Sequence, residues 1–232
     1  MSSQLVILSM LFGASAGAFL PRIAHRLTVP FGSPARSACG RCGRAYPSGA
    51  SGWIHAGPAC GAGGHWPSVT FALIAGVLAA ALGPAPQLPI HLLAVIPGLL
   101  LAMIDLGCLR LPDRLVATIA LGAGIPLALL APDRIVPALA AGLLVGAAYL
   151  AIALLPGHGL GLGDVKLGAA LAFLLGFAGW PAVAVCLGTA HLLNGVVATW
   201  LLVIRKGRPL PFGPALLAGF VLATVTAALT AA

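Results

Sequence analysis

Four acidic residues occur in 232, namely Asp105, Asp113, Asp133 and Asp164, and the chain has no Glu. Two of them do not fit as simple helix punctuation. Asp105 follows the apolar run "LLAVIPGLLLAMI" and so ends a helix, where the carbonyl end of the dipole disfavours a carboxylate. Residues placed against the local rule tend to mark functional sites. Asp164 opens an apolar run after the glycine-rich stretch "GHGLGLG". The dipole there favours its anion, and an N-cap role is the simpler alternative. Glycines at 157, 159, 161 and 163 remove side chains, so another backbone can approach the acid closely. Two carboxyls at one membrane depth would form an aspartyl dyad. One acid is ionised and activates water, and the other is protonated and protonates the carbonyl. The dipoles make Asp105 the holder of the shared proton and Asp164 the base.

The elements that must position these acids are membrane helices. Hydrophobic residues make up 60% of the chain, charged residues 7%, and the mean hydropathy is +1.09. Soluble domains carry about 25% charged residues, so the expected fold is an all-α polytopic membrane protein. Eight apolar runs are predicted to span: roughly 4–20, 68–83, 88–104, 115–131, 135–155, 165–179, 182–204 and 214–231. The first lacks the basic flank of a signal peptide and is read as a span. With eight spans, eleven of the twelve Lys and Arg fall on one side, and only Arg134 falls on the other. Basic loops are retained in the cytoplasm. Both ends of the chain are therefore expected outside and the long loop inside, in a bacterial cytoplasmic membrane. The chain divides into a first helix (1–20), a cytoplasmic loop (21–67) and a seven-helix membrane region (68–232) that holds both acids.

Asp113 and Asp133 stand in "PDRL" and "PDRI" and are expected to cap the helices that follow. Lys166 lies near Asp164; it either stabilises the anion or anchors the helix end at the interface by snorkelling. Cys186 reads as a small core residue. His191 and Asn194 share a helix face and are expected to make an interhelical polar contact. His91 and His158 are expected at the interface, as are Trp53, Trp66, Trp180 and Trp200.

The loop carries Cys39-x-x-Cys42, then Cys60 and His65. Cytoplasmic thiols stay reduced, so a metal is favoured over a disulfide. Cys39, Cys42, Cys60 and His65 could hold a tetrahedral zinc, with His55 as a rival ligand; the alternative is a decayed site with three idle thiols.

Four segments together resemble the type IV prepilin leader peptidases, which are intramembrane aspartyl proteases of the Gly-x-Gly-Asp class. "GLGDVKLGAALAFLLG" (161–176) resembles their Gly-x-Gly-Asp-x-Lys-Leu signature. "IDLGCLRLPDRL" (104–115) is similar to their other aspartate motif. "LPFGPALLAG" (210–219) and "GAFLPRIAHRL" (17–27) match further family features. The resemblance implies that Asp105 and Asp164 are the catalytic pair. Gly161, Gly163, Lys166, Pro112 and Asp113 would support it, and Pro214, Ala215 and Leu216 would lie near it. It implies prepilin or pseudopilin substrates, cleaved after a glycine at the cytoplasmic face, in contact with membrane lipids. Proteolysis would need no cofactor. Many relatives hold zinc in this loop on two Cys-x-x-Cys pairs; here Gly63 stands where the fourth cysteine would be. Some relatives also methylate the new N-terminus with S-adenosylmethionine, which stays open here.

Two other readings remain. A proton-coupled transporter would carry its acids near the midplane and often an inverted repeat; these acids sit at one edge, and no such repeat is evident. A catalytically idle pilus-assembly membrane protein would lack one of the two aspartates. A nucleic-acid role is disfavoured, because the basic loop has no run of stacking aromatics and orientation already explains its charge.

Overall fold

The computed structural model describes residues 3–30, 32–39, 42–47, 49, 53, 65–156, 160–204 and 209–231. Among these the regular secondary structure is helical, apart from one antiparallel bridge between Ala38 and Ala45. The helices are α1 (Ser3–Gly17), α2 (Leu20–Leu27), α3 (Trp66–Leu82), α4 (Gln87–Cys108) and α5 (Asp113–Leu130). After a 3₁₀ turn, Pro132–Arg134, come α6 (Ile135–Leu154), α7 (Leu162–Gly176), α8 (Trp180–Val203) and α9 (Gly213–Ala231).

Each of the eight expected apolar runs forms a helix. Among the described residues six stretches are long and apolar enough to cross a membrane: Ser3–Leu27, Gln87–Cys108, Asp113–Leu130, Pro132–Leu154, Trp180–Val203 and Gly213–Ala231. The protein is therefore a multi-pass membrane protein. α3 has 17 residues and α7 has 15. A 15-residue helix is about 22 Å long, short of the ~30 Å hydrocarbon core, so α7 would cross only where the bilayer thins around it.

α4 is the centre of the assembly. In its membrane window 67% of residues are buried, against 22–28% in the other five candidate spans. One face of α4 joins Leu20, Phe71, Leu78, Leu99 and Ile104 in a core with α1–α3. The other joins Leu101 to Ile119, Leu171 and Leu216 in a core with α5–α9. Asp105, 4% exposed, lies on this shared helix.

Small residues set the helix spacing, as membrane helices without a hydrophobic driving force between them require. A Cβ at Gly17 would lie 2.7 Å from the Pro67 carbonyl oxygen and the Ser68 Cα of α3. A Cβ at Gly142 would lie 2.9 Å from the Phe173 Cβ of α7.

The amphipathic helix α2 falls where loop was expected, from residue 21. Its Leu20, Pro21 and Ala24 are buried, and its basic residues His25 and Arg26 stand in the last turn, where they suit the helix dipole. It continues α1 by only two residues of turn and buries against α4 rather than running free.

Candidate functional site

Both acids come to the same end of the bundle. α4 stops at Cys108, with Leu109 in the left-handed region at φ 53° and its N–H donating to the Asp105 carbonyl at 2.8 Å. The chain then turns through Leu111 into α5. Leu111 is the spacer between the two acidic segments. A Cβ at Gly163 would lie 3.0 Å from the Leu111 Cβ, and one at Gly213 would lie 3.1 Å from its Cδ2. Gly213 opens α9, and its backbone N–H donates to Asp105 Oδ2 at 2.9 Å. The Asp105 and Asp164 carboxyls are electrostatic neighbours.

The two carboxyls are held alike. A helix leaves its first N–H groups without partners. Asp105 takes one of these from α9 across 108 residues of sequence. Asp164 takes one from its own α7: Gly161 is the N-cap and Asp164 the third helical residue. Its carboxylate accepts the Gly161 backbone N–H, with Oδ2 facing that glycine. This is the reach-back half of a capping box. The expectation of Asp164 as the N-cap is thereby corrected, because the helix starts three residues earlier than the apolar run. Asp164 Oδ1 is buried and unbonded among the described residues.

These contacts give specific glycines a reason. A Cβ would lie 3.1 Å from Asp164 Oδ2 at Gly161 and 2.9 Å from Asp105 Oδ2 at Gly213. The close approach read from the sequence is made by the carboxyls and by Leu111. Gly157 and Gly159 lie outside the described residues.

Asp113 is not a capping side chain. Pro112 occupies the N-cap position of α5, and Asp113 stands in the first turn without a capping hydrogen bond. Pro112 has an extended backbone that starts the helix, and the Asp113 carboxylate turns out to Lys166, 2.8 Å away. Lys166 thus pairs with Asp113. Both side chains are more than half exposed. Asp133 likewise lies inside the 3₁₀ turn with no capping bond, 3.5 Å from Arg134. Pro214, Ala215 and Leu216 form the first turn of α9, directly after the glycine that holds Asp105. Leu216 is fully buried, and its carbonyl accepts the Cys186 thiol at 3.7 Å.

An apolar cleft of about 440 Å³ lies between α3, α4 and α9. Ala102, Leu106 and Pro214 line its end nearest the acids.

The root of the long loop adjoins the same end. A Cβ at Gly107 would lie 2.7 Å from the Thr28 Cγ2. Arg110 Nη1 donates to the Pro30 carbonyl at 3.1 Å, and Arg36 Nη2 to the Thr28 carbonyl at 2.9 Å. The Arg26 guanidinium lies 3.9 Å from the Trp53 ring centroid. Cys39 and Cys42 bracket a tight turn. The Cys39 N–H donates to the Arg44 carbonyl, and the Gly43 N–H to the Cys39 carbonyl, each at 2.9 Å. Gly43 has φ +70°, which suits glycine. Two thiols on one turn are half of a tetrahedral zinc set. Cys60 and His55 lie outside the described residues, and His65 is at the N-cap position of α3. Among the described residues no three potential ligands cluster.

Three histidine and cysteine readings resolve differently. Cys186 is 1% exposed, a core residue. His91, near the start of α4, is buried, and its ring stacks on Phe220 at 5.9 Å. His191 binds its own helix through the Leu187 carbonyl, and its interhelical contacts are aromatic, to Tyr149 and Phe212. The sequence reading passed over Tyr149 and Gly213. Gly213 stood inside a quoted motif, but its partner is remote in sequence. Tyr149 stood in a plain apolar run.

Comparison with known proteins points one way. The chain is 34% identical over 134 residues to a prepilin leader peptidase/N-methyltransferase of Aeromonas salmonicida, which covers 52% of this chain and 44% of that protein. A protein of the same name from Aeromonas hydrophila is 35% identical over 131 residues, with the same coverage. One from Burkholderia pseudomallei is 47% identical over 62 residues, 27% of this chain and 20% of that protein. The matched stretch spans less than half the length of these relatives. No family profile matches the chain, and no solved structure does. Over about half its length, the chain is a homologue of the prepilin leader peptidase/N-methyltransferases.

Proposed function

We propose that the protein is an intramembrane aspartyl endopeptidase that cleaves the leader peptide of type IV prepilins or pseudopilins at the cytoplasmic membrane face. The observation that carries this is the meeting of Asp105 and Asp164, from α4 and α7, at one end of the bundle. Each carboxyl is anchored by a glycine N–H at a helix start. The relatives' names, prepilin leader peptidase/N-methyltransferase, suggest the substrate class. In this reading all eight apolar helices cross the bilayer, α3 and α7 with local thinning at their polar ends.

The mechanism follows from the anchoring. Asp164 feels the positive end of α7 and the Gly161 N–H. Asp105 feels the negative end of α4 and the positive end of α9. The balance leaves Asp164 the more stable anion. The dipole contrast is smaller than α4 alone implies, because the Gly213 N–H also supports a charged Asp105. Asp164 takes a proton from water as its oxygen attacks the scissile carbonyl carbon, and Asp105 gives its proton to the carbonyl oxygen. The tetrahedral diol then collapses. Asp164 passes its proton to the amide nitrogen, the C–N bond breaks, and Asp105 recovers a proton from the departing diol. The pair ends as it began, with one shared proton.

In this reading Lys166 and Asp113 brace α7 against α5 from outside the pair, and Pro214, Ala215 and Leu216 fix the start of α9. The zinc reading of Cys39, Cys42, Cys60 and His65 gains from the tight Cys39–Cys42 turn and remains a proposal about the loop fold. Methylation would need S-adenosylmethionine, and none of its residues is assigned.

The test is co-expression of the wild type, Asp105→Asn and Asp164→Asn with a candidate prepilin, followed by its size on a gel. Wild-type cleavage, reduced at least about 10²–10⁴-fold in each variant with the proteins still in the membrane, is expected. Cleavage that survives either change would rule out the dyad.

A further inference from the structure

Tyr149 of α6 is 4% exposed, and its hydroxyl is buried without a hydrogen-bond partner among the described residues. Buried hydroxyls normally have a partner, and an unmet one is costly. Its ring is fixed from three sides. A Cβ at Gly168 would lie 2.7 Å from the Tyr149 Cε2, so α7 keeps a glycine there to admit the ring. Gly168 lies four residues after Asp164, on the same helix face. The Phe212 ring centroid, one residue before the glycine that holds Asp105, is 6.2 Å away, and that of His191 is 5.8 Å away. The hydroxyl is within electrostatic reach of Asp164. Asp164 Oδ1 is the other unmet buried oxygen on this side of the site. One of the two groups is a donor, and the other accepts.

Resting on the peptidase reading above, we propose that Tyr149 is a positioning residue of this site: its hydroxyl donates toward Asp164 Oδ1 through one water and holds that carboxylate as the base. Asp164 is then fixed at both oxygens, by the Gly161 N–H at Oδ2 and by Tyr149 at Oδ1. The donor also explains why an apolar helix carries tyrosine where phenylalanine would fill the same space. Among the described residues, the other ionisable groups on the elements around Asp164 are these. Asp105 comes from α4, the Asp113–Lys166 pair joins α5 to α7, and Cys186 and His191 come from α8. α9 contributes none.

The test is Tyr149→Phe, which keeps the ring and removes the donor. A hydrogen bond to the anion lowers the affinity of Asp164 for a proton, so its loss moves the acid limb of the rate profile to higher pH. The kcat for prepilin cleavage is expected to fall about 10- to 100-fold with KM unchanged. A second readout needs no substrate. In the Asp105→Asn background, infrared difference spectroscopy of the purified full chain follows protonation of Asp164, and Tyr149→Phe should raise its midpoint by about one pH unit. Gly168→Ala is a second variant, which keeps the hydroxyl but displaces the ring and should shift the midpoint the same way. An unchanged midpoint in Tyr149→Phe would overturn the proposal, as would wild-type kcat and pH profile. If the wild type cleaves no prepilin, the peptidase reading fails, and the infrared midpoint still decides whether Tyr149 acts on Asp164.

Discussion

Asp105 and Gly213 form one unit although 108 residues separate them. A methyl group at 213 would stand 2.9 Å from Asp105 Oδ2 and 3.1 Å from Leu111. Gly213→Ala should displace the carboxyl by a few tenths of an ångström or more and lower kcat by roughly 10²-fold, with the chain still folded in the membrane. Steady-state cleavage kinetics beside a detergent melting curve would check both halves. The Lys166–Asp113 pair invites the opposite expectation. It is close, but both side chains are more than half exposed, and such pairs contribute about 0–1 kcal/mol. Lys166→Ala should therefore keep cleavage within a few-fold of wild type, and a loss like that of Asp164→Asn would give Lys166 a part in the chemistry. At this scale the sequence displayed the acids because acids are so scarce in it. It hid Tyr149 and the partner of Gly213, since a contact across the bundle leaves no mark on local spacing.

The helices themselves were readable as apolar runs, and every expected run is helical. Their neighbours were not readable. In lipid both faces of a helix are apolar, so hydropathy shows no stripe to say which face meets which partner. The information lies in small residues instead, and it becomes legible only once the pairing is known. α2 was missed for a related reason: eight amphipathic residues beside a loop do not register as a span, though they cover part of α4. Pro112, rather than Asp113, opens α5, because an acid in the first turn can satisfy the dipole without capping. The α1–α3 pair offers a direct check on packing by small residues. Gly17→Val would force its side chain against the backbone of Pro67 and Ser68, which cannot yield as a side chain could. The cost should be about 1–3 kcal/mol, read as a lower melting temperature in detergent. Since both acids lie on α4 and α7, the surviving folded fraction should keep its kcat.

For the whole molecule, charge and site location depend on each other. Arg36 and Arg110 donate to backbone carbonyls at the loop root, and Arg26 stacks on Trp53. The same residues tie the loop to the end of the bundle that carries Asp105 and Asp164. Orientation thus decides the side on which the acids work. If all eight helices cross, as proposed above, eleven of the twelve Lys and Arg would fall on that side by sequence position and Arg134, which pairs with Asp133, on the other. On that proposal the positive-inside rule would put the acids at the cytoplasmic face and residue 232 outside. An alkaline phosphatase reporter, active only outside, should be active when fused after Ala232 and silent when placed in the loop near Cys42. The reversed pattern would put the carboxyls on the outer face, where a precursor that has not left the cytoplasm could not reach them, and the peptidase reading would fail with it. Activity at both points would mean that an even number of helices crosses between them, and the short α3 and α7 would be the first to re-examine.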